Sequence, residues 1–328
     1  MNSKDIILAL TCEDDPTTDA VVAAIDAMQE PVRVMRLDTG DFPMELRLTA
    51  TTAADGGWNG SLVHQAGTTL DLERVRSVYY RRPTRFRLPA GMSPADEVFA
   101  AVEARHGLGG LLASLDALWV NDPIKTAVAE YKPLQLHLGA HCGLAVPRSL
   151  LSNTHSDVAD FAKSVGGPIV CKPLSSLVFT EDGQQMSKQY TTIIDPSTVD
   201  EAAFAATAHL VQEYVDKAYE ARVTVAGDEV LGVAIRSSSD AGRVDWRSDY
   251  DSLTYQRVEV PLPVRRGVRR FLHRLGLAYG AFDFAITPAE HWVMLECNPA
   301  GQWLWLEHQT GAPIAAALAQ LLMKGTGQ

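Results

Sequence analysis

Towards its C-terminal end the chain reads Ala281-Phe282-Asp283-Phe284-Ala285-Ile286, a polar turn, then Trp292-Val293-Met294-Leu295-Glu296-Cys297-Asn298-Pro299. Side chains alternate along a strand, so Glu296 and Asn298 share a face, and a hairpin about the turn 288–290 sets Asp283 opposite Glu296. Three oxygen ligands then converge. So few hard ligands suit Mg²⁺ that keeps waters and completes its octahedron with phosphate oxygens, which implies a nucleotide. A bulge acid and a polar strand end would leave the same letters. Two like charges facing each other inside apolar strands favour the cation, because unpaired carboxylates there are destabilising.

Cations with matching chemistry lie upstream. Lys172 ends the apolar run Ile169-Val170-Cys171-Lys172, where a solvated strand end is the other reading. Lys132 precedes Pro133, which fits a first helical turn, so Lys132 is predicted just before a helix N-terminus, a place that favours phosphate. The segment His209 to Val215 precedes Glu220-Ala221-Arg222-Val223-Thr224-Val225 and the run 229–236. An exposed edge at Glu213 and Val215 offers backbone groups to an adenine edge, and Glu220 offers an acceptor to ribose hydroxyls. An ordinary sheet linker with a surface acid has the same composition. Arg222 and Arg236 lie on neighbouring apolar strands, where buried guanidinium groups need phosphate or carboxylate partners.

The elements that must position these groups are those of an α/β protein. Ile6 to Leu10 reads as a buried strand, 20–28 as a helix capped by 17–19, and 32–37 as the next strand, the opening of a parallel sheet. Gly56, Gly57 and Gly60 mark turns between short antiparallel segments. Val75 to Tyr80 runs into Arg81, Arg82, Arg85 and Arg87, read as the one strongly basic island. Helical spacing covers 95–119 through Val98, Val102, Leu111, Leu112, Leu115 and Leu118, and Asn121-Asp122-Pro123 caps a new helix, which puts a lobe boundary near 120. Short strands and hairpin turns follow from 146, one hairpin lying between Leu174 and Tyr190. A net charge of −11 disfavours nucleic acid or an anionic membrane as main partner. The four cysteines form no C-x-x-C pair, so neither zinc nor a disulfide framework is suggested. Without a signal h-region or a run of roughly 20 apolar residues, a cytoplasmic location is expected.

In this order Lys132, Lys172, Gln212-Glu213-Tyr214-Val215, Glu220-Ala221-Arg222, Arg236, and Asp283 with Glu296-x-Asn298 resemble the ATP-grasp superfamily over essentially the whole chain. The resemblance implies an α/β ATP-grasp fold with an N-terminal pre-ATP-grasp lobe (1–120), a central lobe (121–210) and a C-terminal lobe with the metal site (211–328). It implies ATP and Mg²⁺ as cofactors. Lys132 and Lys172 would contact phosphates, Gln212, Glu213, Tyr214 and Val215 would line the adenine pocket, and Glu220 would take the ribose. Asp283, Glu296 and Asn298 would hold Mg²⁺, with Arg236 facing the transferring phosphate and Arg222 near it.

A narrower resemblance rests on Tyr79-Tyr80-Arg81-Arg82-Pro83, Lys132-Pro133-Leu134-Gln135-Leu136, Gly143-Leu144-Ala145-Val146-Pro147 and Asn298-Pro299-Ala300-Gly301-Gln302-Trp303. These look like the ATP-grasp ribosomal peptide maturases, the graspetide or microviridin-type macrocyclases. The implied activity is an ADP-forming ligase that joins Asp/Glu side chains of a precursor peptide to Ser/Thr hydroxyls or Lys amines. Its leader would dock on the 174–190 hairpin through Phe179, Glu181 and Asp182, Arg81 and Arg82 would capture acidic core side chains, and a homodimer is expected. The chain departs from many relatives after Lys172, where Pro173-Leu174-Ser175-Ser176-Leu177 has no glycine, so the phosphate-covering loop stays unassigned. Glu220 stands where RimK-like chains commonly have aspartate. The alternatives are a RimK-like or glutathione-synthetase-like ligase acting on a small molecule or protein tail, and a nucleotide-sensing protein without chemistry.

Overall fold

The computed structural model describes residues 4–54, 56–175, 180–181, 184–185 and 190–325; Phe179 and Asp182 lie outside them. The chain divides into two compact units, one of Met1–Lys125, Leu277–Tyr279 and Pro313–Gln328, the other of Thr126–Gly276 and Gly280–Ala312.

The first unit opens with β1 (Ile6–Leu10), α1 (Pro16–Asp26) and β2 (Arg33–Leu37). β1 is buried at every position, as a strand with parallel neighbours on both sides must be. An antiparallel sheet of β3 (Leu46–Thr52), β4 (Trp58–His64) and β5 (Thr69–Asp71) follows, then β6 (Val75–Tyr80), α2 (Pro94–Ala113) and β7 (Leu118–Val120). The parallel sheet has the order β2-β1-β6-β7. α2 ends at Ala113, short of the expected 119. Its buried face is Ala104, Leu108, Leu111 and Leu112, whereas Val98 and Val102 are exposed.

Asp15 fixes the start of α1. One carboxylate oxygen accepts from the Thr17 and Thr18 N–H groups at 3.1 and 3.4 Å, the other from the Thr11 and Thr18 hydroxyls, each at 2.7 Å. Burial pushes this carboxyl up, but the two hydroxyls and nearby Arg81 hold it below the ordinary carboxylate range. Asp15→Ala would remove the cap and strand two buried hydroxyls. A loss of about 2 kcal/mol is expected, read as a lower midpoint in denaturant unfolding. Arg81, one of the two arginines expected to capture acidic side chains, is itself buried beside Asp15. Arg82 and Arg85 are exposed, and Arg87 is engaged by Asp41 and Glu45.

α3 (Pro123–Ala129) spans the boundary of the two units, at 125 rather than 120. The second unit continues through α4 (Lys132–His141), β8 (Ser149–Ser152), α5 (His155–Val165), β9 (Ile169–Lys172), β10 (Thr180–Glu181), β11 (Gln184–Gln185), β12 (Thr192–Ile194), α6 (Glu201–Ala205) and β13 (His209–Glu213). Its first sheet is antiparallel, ordered β12-β9-β13-β8. β10 and β11 pair Thr180 with Gln185 and Glu181 with Gln184, which places Glu181 in the expected hairpin.

The second sheet comes from β14 (Tyr219–Ala226), β15 (Glu229–Ser237), β16 (Leu253–Val258), β17 (Tyr279–Ile286) and β18 (Trp292–Asn298), ordered β16-β15-β14-β17-β18. α7 (Asp240–Val244), α8 (Leu262–Leu275) and α9 (Leu304–Thr310) interleave with it. The lobes expected at 121–210 and 211–328 thus form one compact unit, and the tail leaves it. α10 (Ile314–Lys324) packs on α1, and its Leu322 and Met323 carbonyls accept from Ser77 and Arg76, each at 2.9 Å. α8 corrects the reading of a single basic island: Arg265, Arg266, Arg269, Arg270 and Arg274 share one helix whose other side buries Val264, Val268, Phe271 and Leu272.

Candidate active site

β17 and β18 form the hairpin the sequence implied. Asp283 pairs with Glu296 and Ala281 with Asn298, and a register irregularity follows Asp283. Asp283 sits inside a strand buried at every position. Its carboxylate takes both ends of the Arg222 fork, at 2.6 and 3.1 Å. Glu296 lies among Lys172 at 3.2 Å, Lys132 at 3.3 Å and Arg247 at 3.8 Å. The facing carboxylates are therefore compensated by protein cations, and their opposition alone does not demand a metal.

The two acids are polarised differently. Burial pushes the Asp283 carboxyl up, with Arg222 opposing and Glu296 adding to the rise. Burial acts on Glu296 in the same sense, yet Lys172, Lys132 and Arg247 together outweigh it and hold that carboxyl far below the usual range. Asn298 is exposed at the strand end, and its side-chain oxygen accepts from the Ala300 N–H at 3.1 Å.

Lys132 is the first residue of α4, followed by Pro133. Its direction is set one turn on. The buried Gln135 side chain donates to the Cys297 carbonyl at 2.7 Å and accepts from the Cys297 N–H at 2.8 Å, so α4 is clamped to the peptide unit beside Glu296. Lys172 arrives from the other sheet and also donates to the Leu295 carbonyl at 3.2 Å. Downstream, Gly301 and Trp303 are structural: a Cβ at Gly301 would stand 2.5 Å from that of Ala281, and Trp303 is fully buried.

A narrow cavity of about 50 Å³ is lined by Val170, Lys172, Gln212 to Val215, Lys217, Glu220, Asp283 and Glu296, among others, and so gathers residues named from sequence. At its edge the Glu213 N–H donates to the Arg148 carbonyl at 3.0 Å, while the Arg148 N–H is taken at 2.9 Å by the Glu213 carboxylate. The side chain thus fills the place in the ladder that the Glu213 carbonyl would occupy. Glu220 is buried and paired at 2.5 Å with Lys217, which also donates to the Val244 carbonyl at 3.0 Å. Burial pushes the Glu220 carboxyl up against the pull of Lys217.

Arg236 does not join this set. The register pairs Glu220 with Ile235 and Arg222 with Val233, so Arg236 projects from the opposite face. It is exposed, with its guanidinium 4.3 Å from the Tyr219 ring centroid.

Residues 6–127 match the family of MvdD pre-ATP grasp domains. The solved Chryseobacterium gregarium RiPP-associated ATP-grasp ligase, in complex with ADP and a leader and core peptide, superposes with a TM-score of 0.87 at 25% identity, over 99% of this chain and 97% of that one. The fold is ATP-grasp. The macrocyclase MdnC of Microcystis aeruginosa MRC, bound with precursor peptide MdnA, gives 0.81 at 27% identity over 97% and 99% of the two chains. An ATP-grasp RimK domain protein of Sphaerobacter thermophilus DSM 20745 shares only the fold, at 15% identity and a TM-score of 0.51. No curated protein sequence matches the chain.

Within the ATP-grasp fold, sequence reasoning missed a set of site residues in the turns after α7. Asp245 is buried and accepts from Arg247 at 2.8 and 2.7 Å and from the Thr191 N–H at 3.0 Å. It aims Arg247 at Glu296 and ties the segment leading into β12 to the site. Burial pushes the Asp245 carboxyl up, but Arg247 and two backbone N–H groups hold it below the ordinary range. A depressed folded pKa adds stability above the unfolded value, about 3.9, and that stability is lost as pH falls through the lower folded value. Asp245→Asn is therefore expected to lower Tm at neutral pH and flatten the decline below about pH 4. Melting curves of both proteins across that range test it. Among the described residues, no helix is long and apolar enough to cross a membrane.

Proposed function

We propose that the protein is an ATP-dependent, ADP-forming ligase that macrocyclises a ribosomally made precursor peptide. It would activate Asp or Glu side chains as acyl phosphates and join them to Ser/Thr hydroxyls or Lys amines. The observation that carries this reading is the convergence of Lys132, Lys172 and Arg247 on Glu296, opposite Asp283. Three cations on one carboxylate leave donors to spare, and a polyphosphate would use them. The oxygen donors of Asp283, Glu296 and Asn298 are hard and few, as suits Mg²⁺ that shares its sphere with phosphates and waters.

Bound ATP would supply the leaving group that a carboxylate lacks, with Mg²⁺ neutralising phosphoryl oxygens. Lys132 and Lys172 would hold the phosphates. Gln212, Tyr214, Val215 and the backbone of Glu213 would hold the base, and buried Glu220 would accept from the ribose. The narrowness of this cleft means that its two walls must part to admit the base. Arg222 and Arg247, which also line the second, larger cavity, would orient the peptide carboxylate and balance charge on the transferred phosphoryl group. Arg82 and Glu181 are proposed peptide contacts, Arg82 from its exposure and Glu181 from its place in the hairpin. A precursor peptide as partner is supported by the two peptide-bound relatives; a homodimer remains a proposal from resemblance.

The decisive experiment incubates the protein with ATP, Mg²⁺ and any short peptide rich in Ser/Thr and Asp/Glu that a neighbouring reading frame encodes, and weighs the peptide. Loss of one or more waters with matching ADP, absent with Asp283→Ala, is expected. ADP release prompted by free amino acids instead would replace this reading with a small-molecule ligase.

A further inference from the structure

The second cavity, about 1000 Å³, holds more aromatic surface than nucleotide or metal chemistry accounts for. Four rings form an unbroken row. Tyr250 meets Trp246 edge-on at 5.7 Å, Trp246 meets Trp305 at 5.4 Å, and Trp305 meets Tyr255 at 5.0 Å between centroids. They come from the turns after α7, from β16 and from α9, so no local sequence pattern assembles them.

The row meets the reacting groups at Trp246, its second ring. The Arg222 guanidinium, which grips Asp283, lies 5.5 Å from the Trp246 ring centroid. Trp246 is buried, whereas Tyr250 beside it is 55% exposed, so this end of the row opens to solvent. Rings in this arrangement present flat apolar faces with little conformational freedom to lose on binding. A side chain laid on them is desolvated beside a cation-rich end that suits an acid. The nature of the guest follows from charge: in the lining of the same cavity Lys132, Arg222 and Arg247 outnumber Glu130 and Glu296, which disfavours a cationic side chain, although rings alone would accept one.

Resting on the ligase reading above, we propose that the row Trp246-Trp305-Tyr255, with Tyr250 at its mouth, is a specificity subsite for a large apolar or aromatic side chain next to the carboxylate being activated. The subsite makes the peptide's neighbour residue, and not the acid alone, a determinant of which carboxylate is chosen.

The test uses three capped peptides, Thr-Thr-Phe-Glu-Asp and its counterparts with Ser or Arg in place of Phe, titrated calorimetrically into the full-length protein with Mg²⁺ and ADP. The Phe peptide is expected to bind about tenfold tighter than either counterpart. That preference should fall below about threefold in Trp305→Leu and in Tyr255→Leu, each of which suffices if the other fails to fold. Equal affinities, no measurable binding of any peptide, or a preference that survives both substitutions would overturn the subsite. Stabilisation by ATP with Mg²⁺, read separately as a rise in Tm, tests the ligase reading alone. Indifference among peptides with that rise intact therefore sinks the subsite and spares the ligase.

Discussion

Glu296→Gln is expected to cut ATP-dependent turnover by on the order of a thousandfold, while metal-free nucleotide binds more tightly than to the parent protein. The substitution keeps shape and removes one charge. That charge is the partner of Lys132, Lys172 and Arg247 and a proposed Mg²⁺ ligand. Without it the metal loses an anionic oxygen at the point where phosphoryl charge develops. The lysines, no longer engaged by a carboxylate, become freer donors to a triphosphate. The two effects have opposite signs, which separates loss of the site's chemistry from loss of fold. ADP release and calorimetric titration of ATP in chelator measure them; turnover near the parent level would remove Glu296 from the proposed metal site.

Arg222→Met is expected to be the most destabilising single change at the site. The Arg222–Asp283 pair is bidentate and less than a tenth exposed on either side. Removing one partner of such a pair leaves an uncompensated buried charge and costs about 3–5 kcal/mol. For a chain of 328 residues the loss corresponds to a Tm lowered by roughly 4–7 °C. Asp283 is already pushed up by burial, and without Arg222 the protonated form gains further. The double variant Arg222→Met with Asp283→Leu should recover much of the loss, because an apolar pair of similar volume carries no desolvation penalty. A single variant melting with the parent would show that the pair contributes nothing net to stability.

The hairpin was legible from alternation and a tight turn, but the turn sets Ile286 opposite Trp292 and would carry Asp283 to Leu295; the irregularity after Asp283, which no sequence signal marks, brings it to Glu296. Lys132 and Lys172 were legible as cations at element ends, though nothing in the sequence told that both would fold onto Glu296. Arg236 misled. Positions 232–235 of β15 are all buried, so strand composition there does not say which face the next guanidinium takes; only the pairing with β14 does. Asp245, Arg247 and Lys217 lie in turns, where no periodicity marks them and tertiary placement alone brings them to Glu296 and Glu220. The arginines of α8 stand together in the sequence, five of them within 265–274, so this second basic run was open to a reading of the residues alone. α10 was assigned by chain order to the last lobe, whereas its packing on α1 depends on a long-range return that local sequence does not encode.

The Gln135 clamp has a mechanical consequence. Lys132 is tied through α4 to the strand that carries Glu296, so those two groups travel together, while Lys172 rides on the other sheet of the same unit. Parting of the two sheets must break the Lys172–Glu296 contact and can leave Lys132–Glu296 whole. The pair of lysines is thus unequal: one is a fixed tooth of the jaw, the other its latch, and the state of the jaw is written in a single ion pair.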